Sequence, residues 1–221
     1  MNEGEPLFRP DWVLGHLGML AQRIGEHLVV TVIAVVVGFV ISFGLALAVR
    51  RYPLLYGPIL GISGVLYAIP SIALFVLFIP ITGLSLLTAE IALVSYTLVI
   101  LVRNIVTGLR GVPPDVIEAA RGMGYADGQR LWRVELPIAL PIIIAGVRIA
   151  TVTTIGLVTI ATLIGMGGLG YLIVNIGIVQ RFPTATITGV VIVVLISTIA
   201  DLGLQAVQRR LTPWAKAREE V

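Results

Sequence analysis

Side chains able to do chemistry are few and unevenly placed in this 221-residue sequence, which has two histidines and no cysteine. Both histidines, His16 and His27, precede the first long apolar stretch, so the His-Glu-x-x-His set of a zinc protease cannot assemble. Inside the apolar stretches the ionisable residues reduce to Glu90 and Arg148, with Asp201 at the end of the last one. One glutamate and one terminal aspartate supply neither the facing acids of an aspartyl protease nor the base of a serine enzyme. No Gly-Lys-Ser phosphate loop is present, so ATP hydrolysis is not expected of this chain. Recognition chemistry remains. Residues 118–137, EAARGMGYADGQRLWRVELP, form a compact, charged, helix-prone insert between apolar stretches, and such an insert has to be gripped by something in water.

The elements that position the insert read as membrane spans. Hydrophobic residues make up 57% of the chain and charged ones 12%, against roughly 25% charged in an average soluble domain; mean hydropathy is +1.03. Uncharged runs extend from Leu28 to Val49, Leu54 to Ala89, Ile91 to Val102, Ile149 to Gln180 and Phe182 to Ala200. Several exceed the roughly 20 apolar residues that cross a bilayer. Helices rather than a barrel must satisfy the backbone, because no ten-residue alternating segments occur.

The expected fold is therefore an all-α polytopic membrane protein with about five spans, near 28–49, 56–79, 84–102, 138–164 and 182–204. Pro80 and Gly83 in IPITGLS, residues 79–85, predict the turn between the second and third spans. Eleven basic residues fall on one side: Arg50, Arg51, Arg103, Arg110, Arg121, Arg130, Arg133, Arg209, Arg210, Lys216 and Arg218. Arg9, Arg23 and Arg181 fall on the other. That bias places the N-terminus outside and the C-terminus in the cytoplasm. Residues 1–27 are expected as an outer segment, with Leu7 to Gly25 as a helix lying in the interface. Residues 28–206 form the membrane domain and 207–221 a cytoplasmic tail. The start MNEGEPLF is acidic and lacks a cleavage pattern, so the first span reads as a retained anchor. The pI of about 9.6 reflects topology rather than nucleic-acid binding, since the arginines neither share a face nor interleave with aromatics.

Within the insert, Val112-Pro113-Pro114 stops the preceding segment, and Asp115 with Glu118 predicts a capping box that starts a helix at Val116. Gly122 and Gly124 end it. Asp127 is the expected N-cap of a second short helix through Glu135, before Leu136-Pro137 returns the chain to the membrane and Pro141 bends the entry. Val116, Ala119, Ala120 and Met123 make an apolar ridge of little bulk, flanked by Glu118 and Arg121, suited to a partner's groove.

Glu118, Ala119, Ala120, Gly124, Val134, Leu136 and Pro137 together resemble the cytoplasmic loop of permease subunits of ABC importers, with Val134 where that family more often has isoleucine. VTGLRGVPPDVIEAARGMGY, LPIALPIIIAGVRIA and IATLIGMGGLG resemble the osmoprotectant subgroup that carries glycine betaine, choline and carnitine. The methionine-type subgroup is its nearest competitor. The resemblance implies the transmembrane-domain fold of type I importers in a bacterial or archaeal cytoplasmic membrane. It also implies two ATPase subunits docked on Asp115, Glu118 to Arg121, Gly124, Val134, Leu136 and Pro137, with ATP and magnesium held by those ATPases and no cofactor in this chain. A second permease subunit, identical or paralogous, and an extracytoplasmic binding protein complete the expected assembly.

Glu90, Tyr67, Tyr96 and Arg148 are the candidates for the translocation path, because intramembrane ionisable residues are costly and usually functional. The aromatics of the spans show no cluster along the sequence that would make a cage for a quaternary ammonium. Asp201 is expected to pair with Arg209 or a loop arginine. Gly165 to Gly170 follows a span, so it predicts a tight outer loop rather than a dinucleotide fingerprint, with Tyr171 to Arg181 as an external segment. A channel is the reading from another class, but no filter or charge ring is visible.

Overall fold

The computed structural model describes residues 6–214; the acidic start MNEGE and the tail cations Lys216 and Arg218 lie outside them. A short helix α1 (Pro10–Gly15) leads directly into α2 (Leu17–Arg51), 35 residues that end on Arg50 and Arg51. At 1.5 Å per residue α2 is about 52 Å long, well beyond the ~30 Å hydrocarbon core. The expected interfacial helix from Leu7 to Gly25 is thus corrected: Leu17 to Gly25 belongs to the rod of the first span. His27, placed before the span by its sequence position, is fully buried within α2.

The second span is corrected more sharply. A 3-10 turn (Pro53–Leu55) leads into α3 (Tyr56–Ala68) and α4 (Ser71–Thr82), which meet at 98° instead of forming one rod over 56–79. Pro70 supplies the cause, since it lacks an N–H and forces Ile69 into extended backbone at ψ 130°. Pro80, expected in the outer turn, lies inside α4. The turn shrinks to Gly83–Ser85, with Gly83 at φ +69° and Ser85 capping α5 (Leu86–Arg110) by accepting from the Thr88 N–H at 3.3 Å.

After α5 come α6 (Pro114–Gly122), α7 (Asp127–Arg130) and a π-helical turn (Leu131–Glu135) that runs without a break into α8 (Leu136–Ala161). A 3-10 turn (Thr162–Ile164) and a glycine loop precede α9 (Leu169–Tyr171), which continues as a π helix (Leu172–Val179). The last described helix is α10 (Pro183–Leu211). Among the described residues, four helical runs, α2, α5, Asp127–Ile164 and α10, are long and apolar enough to cross a membrane, and the bent α3–α4 pair makes a fifth if it counts as one span.

The most buried helix is α5, enclosed by α2, α8, α3 and α4. Small residues make that enclosure possible. Thr31, Ala34, Gly38, Ser42 and Ala46 form the buried stripe of α2, and a Cβ on Gly38 would stand 1.9 Å from Thr97 Oγ1. Across the α5–α8 seam, a Cβ on Gly146 would meet Asn104 Cβ at 2.4 Å. The opposite faces of α2 and α10 expose Val32, Val36 and Val40, and Val194, Leu195 and Ile199, as a lipid boundary requires.

Candidate coupling knob and membrane path

The knob begins two residues earlier than expected and without the expected cap. Pro113 is the N-cap of α6, its carbonyl accepts from the Val116 and Ile117 N–H groups, and no side chain caps the helix, so Asp115 and Glu118 do not form a capping box. Proline at N1 substitutes for the cap because its absent N–H is one that would be unpaired there anyway. At the far end the Tyr125 N–H reaches the Ala120 carbonyl at 3.1 Å around Gly124 at φ +81°. That left-handed closure explains glycine at this position. Ala126, not Asp127, caps α7, and Gln129 Oε1 accepts from its N–H at 3.1 Å. Asp127 sits in the first turn instead, 2.7 Å from Arg130 Nη2.

The expected apolar ridge is split by the fold. Val116, Ala119 and Met123 are exposed together with Asp115, Glu118 and Arg121, whereas Ala120 is 1% exposed and faces inward. Ala120 therefore seats α6 on its own chain. Val134, Leu136 and Pro137 are half-buried where the π turn meets α8.

What ties the knob to the bundle was not singled out from the sequence. Glu135 accepts from Arg50 Nε at 2.7 Å and Arg50 Nη2 at 2.8 Å, and from Arg130 Nε at 2.8 Å. One carboxylate, 6% exposed at its side chain, thereby joins the end of α2 to α7 and the start of α8. A bidentate Arg–carboxylate contact fixes orientation as well as distance. The sequence signal was available only as two charges, Arg50 and Glu135, at opposite borders of apolar runs.

Tyr67 and Tyr96 do form a pair, which corrects the reading that the span aromatics do not cluster: their rings meet edge to face with centroids 5.5 Å apart. The Tyr96 hydroxyl donates to the Ile69 carbonyl, left free at the α3–α4 break. Glu90 is 8% exposed and neither carboxylate oxygen has a partner among the described residues. Six residues before Tyr96 on α5, it points about 120° away from it around the helix. Arg148 is elsewhere again, donating from Nε and Nη2 to the two oxygens of Asp201 at 2.9 Å each, and from Nη1 to Gln208 at 3.3 Å. Asp201 thus pairs with α8, not with Arg209. Only Tyr67 and Tyr96 are brought together; the four path candidates do not share one site.

On the outer side, the glycine loop after α8 is held by α2. Glu26 Oε2 accepts from the Gly168 N–H at 2.8 Å, and His27 Nδ1 from the Leu169 N–H at 3.3 Å. That contact makes Nδ1 the acceptor, so Nε2 carries the proton donated to the Ile155 carbonyl at 3.0 Å. Arg23 bridges Glu26 at 2.8 Å and covers the Tyr171 ring at 4.1 Å. Within the expected external segment Tyr171 to Arg181, the chain is helical up to Val179, and Leu172 is fully buried beside α10.

Comparison with known proteins agrees with this architecture. A family profile described as the binding-protein-dependent transport system inner membrane component matches residues 28–213. The osmoprotectant import permease protein OsmW of Salmonella typhimurium is 39% identical over 207 residues, covering 91% of this chain and 96% of the relative. The glycine betaine/carnitine/choline transport system permease protein OpuCB of Bacillus subtilis is 36% identical over 197 residues, 89% and 90% of the two chains. Among solved structures, the inward-facing MetNI methionine ABC transporter superposes with a TM-score of 0.81 over 90% of this chain and 98% of its own, at 24% identity, a likeness of fold. A polytopic helical bundle carrying a cytoplasmic helical knob, matched along almost its whole length, thus belongs to the inner-membrane components of binding-protein-dependent transport systems, multi-pass subunits with the transmembrane fold of type I ABC importers.

Proposed function

We propose that this chain is the permease subunit of an ATP-driven importer of osmoprotectants: glycine betaine, choline, carnitine or a related quaternary amine. The observation that carries this reading is the near full-length similarity to permeases named for those solutes. Likeness to a methionine transporter is one of fold at 24% identity, so methionine is the second reading. Residues 28–206 act as the membrane domain, 1–27 as the outer segment and 207–221 as the cytoplasmic tail.

Five spans enclose a gated path only in pairs, so two permease chains work together over two ATPases, which hold the ATP and magnesium, and beneath an extracytoplasmic binding protein. The exposed face of α6, with Asp115, Glu118 and Ala119, Arg121 at its membrane-side edge and the closure at Gly124, is the ATPase contact, backed by Val134, Leu136 and Pro137. Closure of the ATPases displaces α6, and the Arg50–Glu135–Arg130 junction carries that displacement into α2 and α8 together. Tyr67 and Tyr96 supply π faces beside the path. Glu90, with no partner among the described residues, stands on a separate face of α5, and Arg148 holds the flank of α8.

Proteoliposomes containing this chain, its genomic-neighbour ATPase and its binding protein test the reading by uptake of labelled glycine betaine, choline, carnitine and methionine. ATP-dependent uptake of a quaternary amine is the expected result. ATP-dependent methionine uptake alone would overturn the substrate, and uptake of any of them without ATP would overturn the importer.

A further inference from the structure

A cavity of about 370 Å³ opens where the inner ends of α2 and α5 meet the knob. Five arginines and two carboxylates line it, and the carboxylates are already engaged: Glu135 by Arg50 and Arg130, Asp127 by Arg130. Arg51, Arg110 and Arg121 pair with no carboxylate among the described residues. Two of them are held by aromatic faces instead, Arg110 over Tyr56 at 4.3 Å and Arg51 near Tyr52 at 5.5 Å. The remaining wall is apolar, formed by Val49, Val106, Leu109 and Ile117.

Two features fix what such a cavity takes. It lies at headgroup depth: the exposed Tyr52 and Trp132 flank the inner ends of the spans, where amphipathic rings settle. It also lies on the membrane side of the knob, because Ile117 and Arg121, one turn apart on α6, line it while Asp115, Glu118 and Ala119 do not. We propose that this cavity holds the phosphate of an anionic phospholipid from the inner leaflet, with Arg51, Arg110 and Arg121 around the phosphate and the lipid's glycerol against the apolar wall. Guanidinium groups suit phosphate oxygens through paired N–H donors, and anionic cytoplasmic leaflets attract cations at this depth. The bound lipid then lies between knob and bundle, as a wedge at the junction that the transport cycle moves. The proposal does not depend on the identity of the transported solute.

Native mass spectrometry of the full permease–ATPase complex, extracted from vesicles of equal phosphatidylglycerol and phosphatidylcholine, tests it. The wild-type complex should retain phosphatidylglycerol preferentially, and Arg51→Gln with Arg110→Gln should reduce that preference about tenfold. Arg51→Lys with Arg110→Lys, which keeps the charge, should restore most of it and shows that the site still folds. Equal retention of both lipids by the wild type would overturn the proposal. Displacement of the lipid by inorganic phosphate would overturn the lipid as the source of the anion. Unchanged retention by the glutamine pair, with loss of the ATPase, would assign these arginines to partner carboxylates.

Discussion

The two ends of this bundle are closed by different chemistry. At the inner end, charged side chains from distant segments converge: Arg50 of α2, Arg130 of α7 and Glu135 before α8. At the outer end, α2 grips backbone, with Glu26 and His27 receiving the N–H groups of Gly168 and Leu169 in a glycine loop. The inner junction ties the knob to two spans through a cluster of charged side chains. The outer junction depends on how closely one chain can approach another, and its glycines set that approach. Each end is therefore vulnerable in its own way, the inner one to loss of charge and the outer one to gain of volume.

Breaking the inner junction should have the largest effect. Glu135→Ala leaves Arg50 and Arg130 facing each other without their carboxylate, and loss of one partner from a buried ion cluster costs about 3–5 kcal/mol. The thermal unfolding midpoint of the detergent-purified complex should fall accordingly; an unshifted midpoint would show that water already screens the cluster. At the outer end, Gly170→Ala puts a Cβ 2.0 Å from the Thr159 carbonyl, so α9 must move away from α8. A loss of about 1–3 kcal/mol is expected by the same measurement. His27→Phe keeps an aromatic ring at the position but strands the Leu169 N–H and removes the donor to the Ile155 carbonyl, for about 1–2 kcal/mol. Amide exchange at Leu169 should accelerate in that variant and stay slow in Glu135→Ala if the two ends are independent. Asp201→Asn, at an ion pair on the bundle flank, should shift the midpoint least of all.

The spans were legible because long uncharged runs and one-sided arginines leave a bilayer protein few alternatives. The break in the second span was not. Pro58, Pro70 and Pro80 are equally visible in sequence, yet Pro58 sits in the first turn of α3 and Pro80 within α4, and only Pro70 breaks the helix. What stabilises that break is the Tyr96 hydroxyl on the Ile69 carbonyl, a contact spanning 27 residues that no local pattern encodes. The insert's residues were legible as a recognition element, since charge between apolar stretches is unusual. Its orientation was not, because a four-residue spacing does not say that Ala120 turns inward while Ala119 stays exposed. Arg50 and Glu135 stand 85 residues apart, and each alone reads as an ordinary charge at the edge of a span.

The most direct test of the account is transport through the knob's exposed face. Glu118→Lys alters a residue outside every ion pair and hydrogen bond of the described side chains, so the chain should still reach the membrane in normal amount. Uptake of labelled glycine betaine by reconstituted Glu118→Lys complexes, measured beside ATP hydrolysis and ATPase co-purification, decides the matter. The account predicts loss of ATP-dependent uptake with weakened ATPase attachment. Normal uptake with normal assembly would contradict the assignment of α6 as the coupling contact.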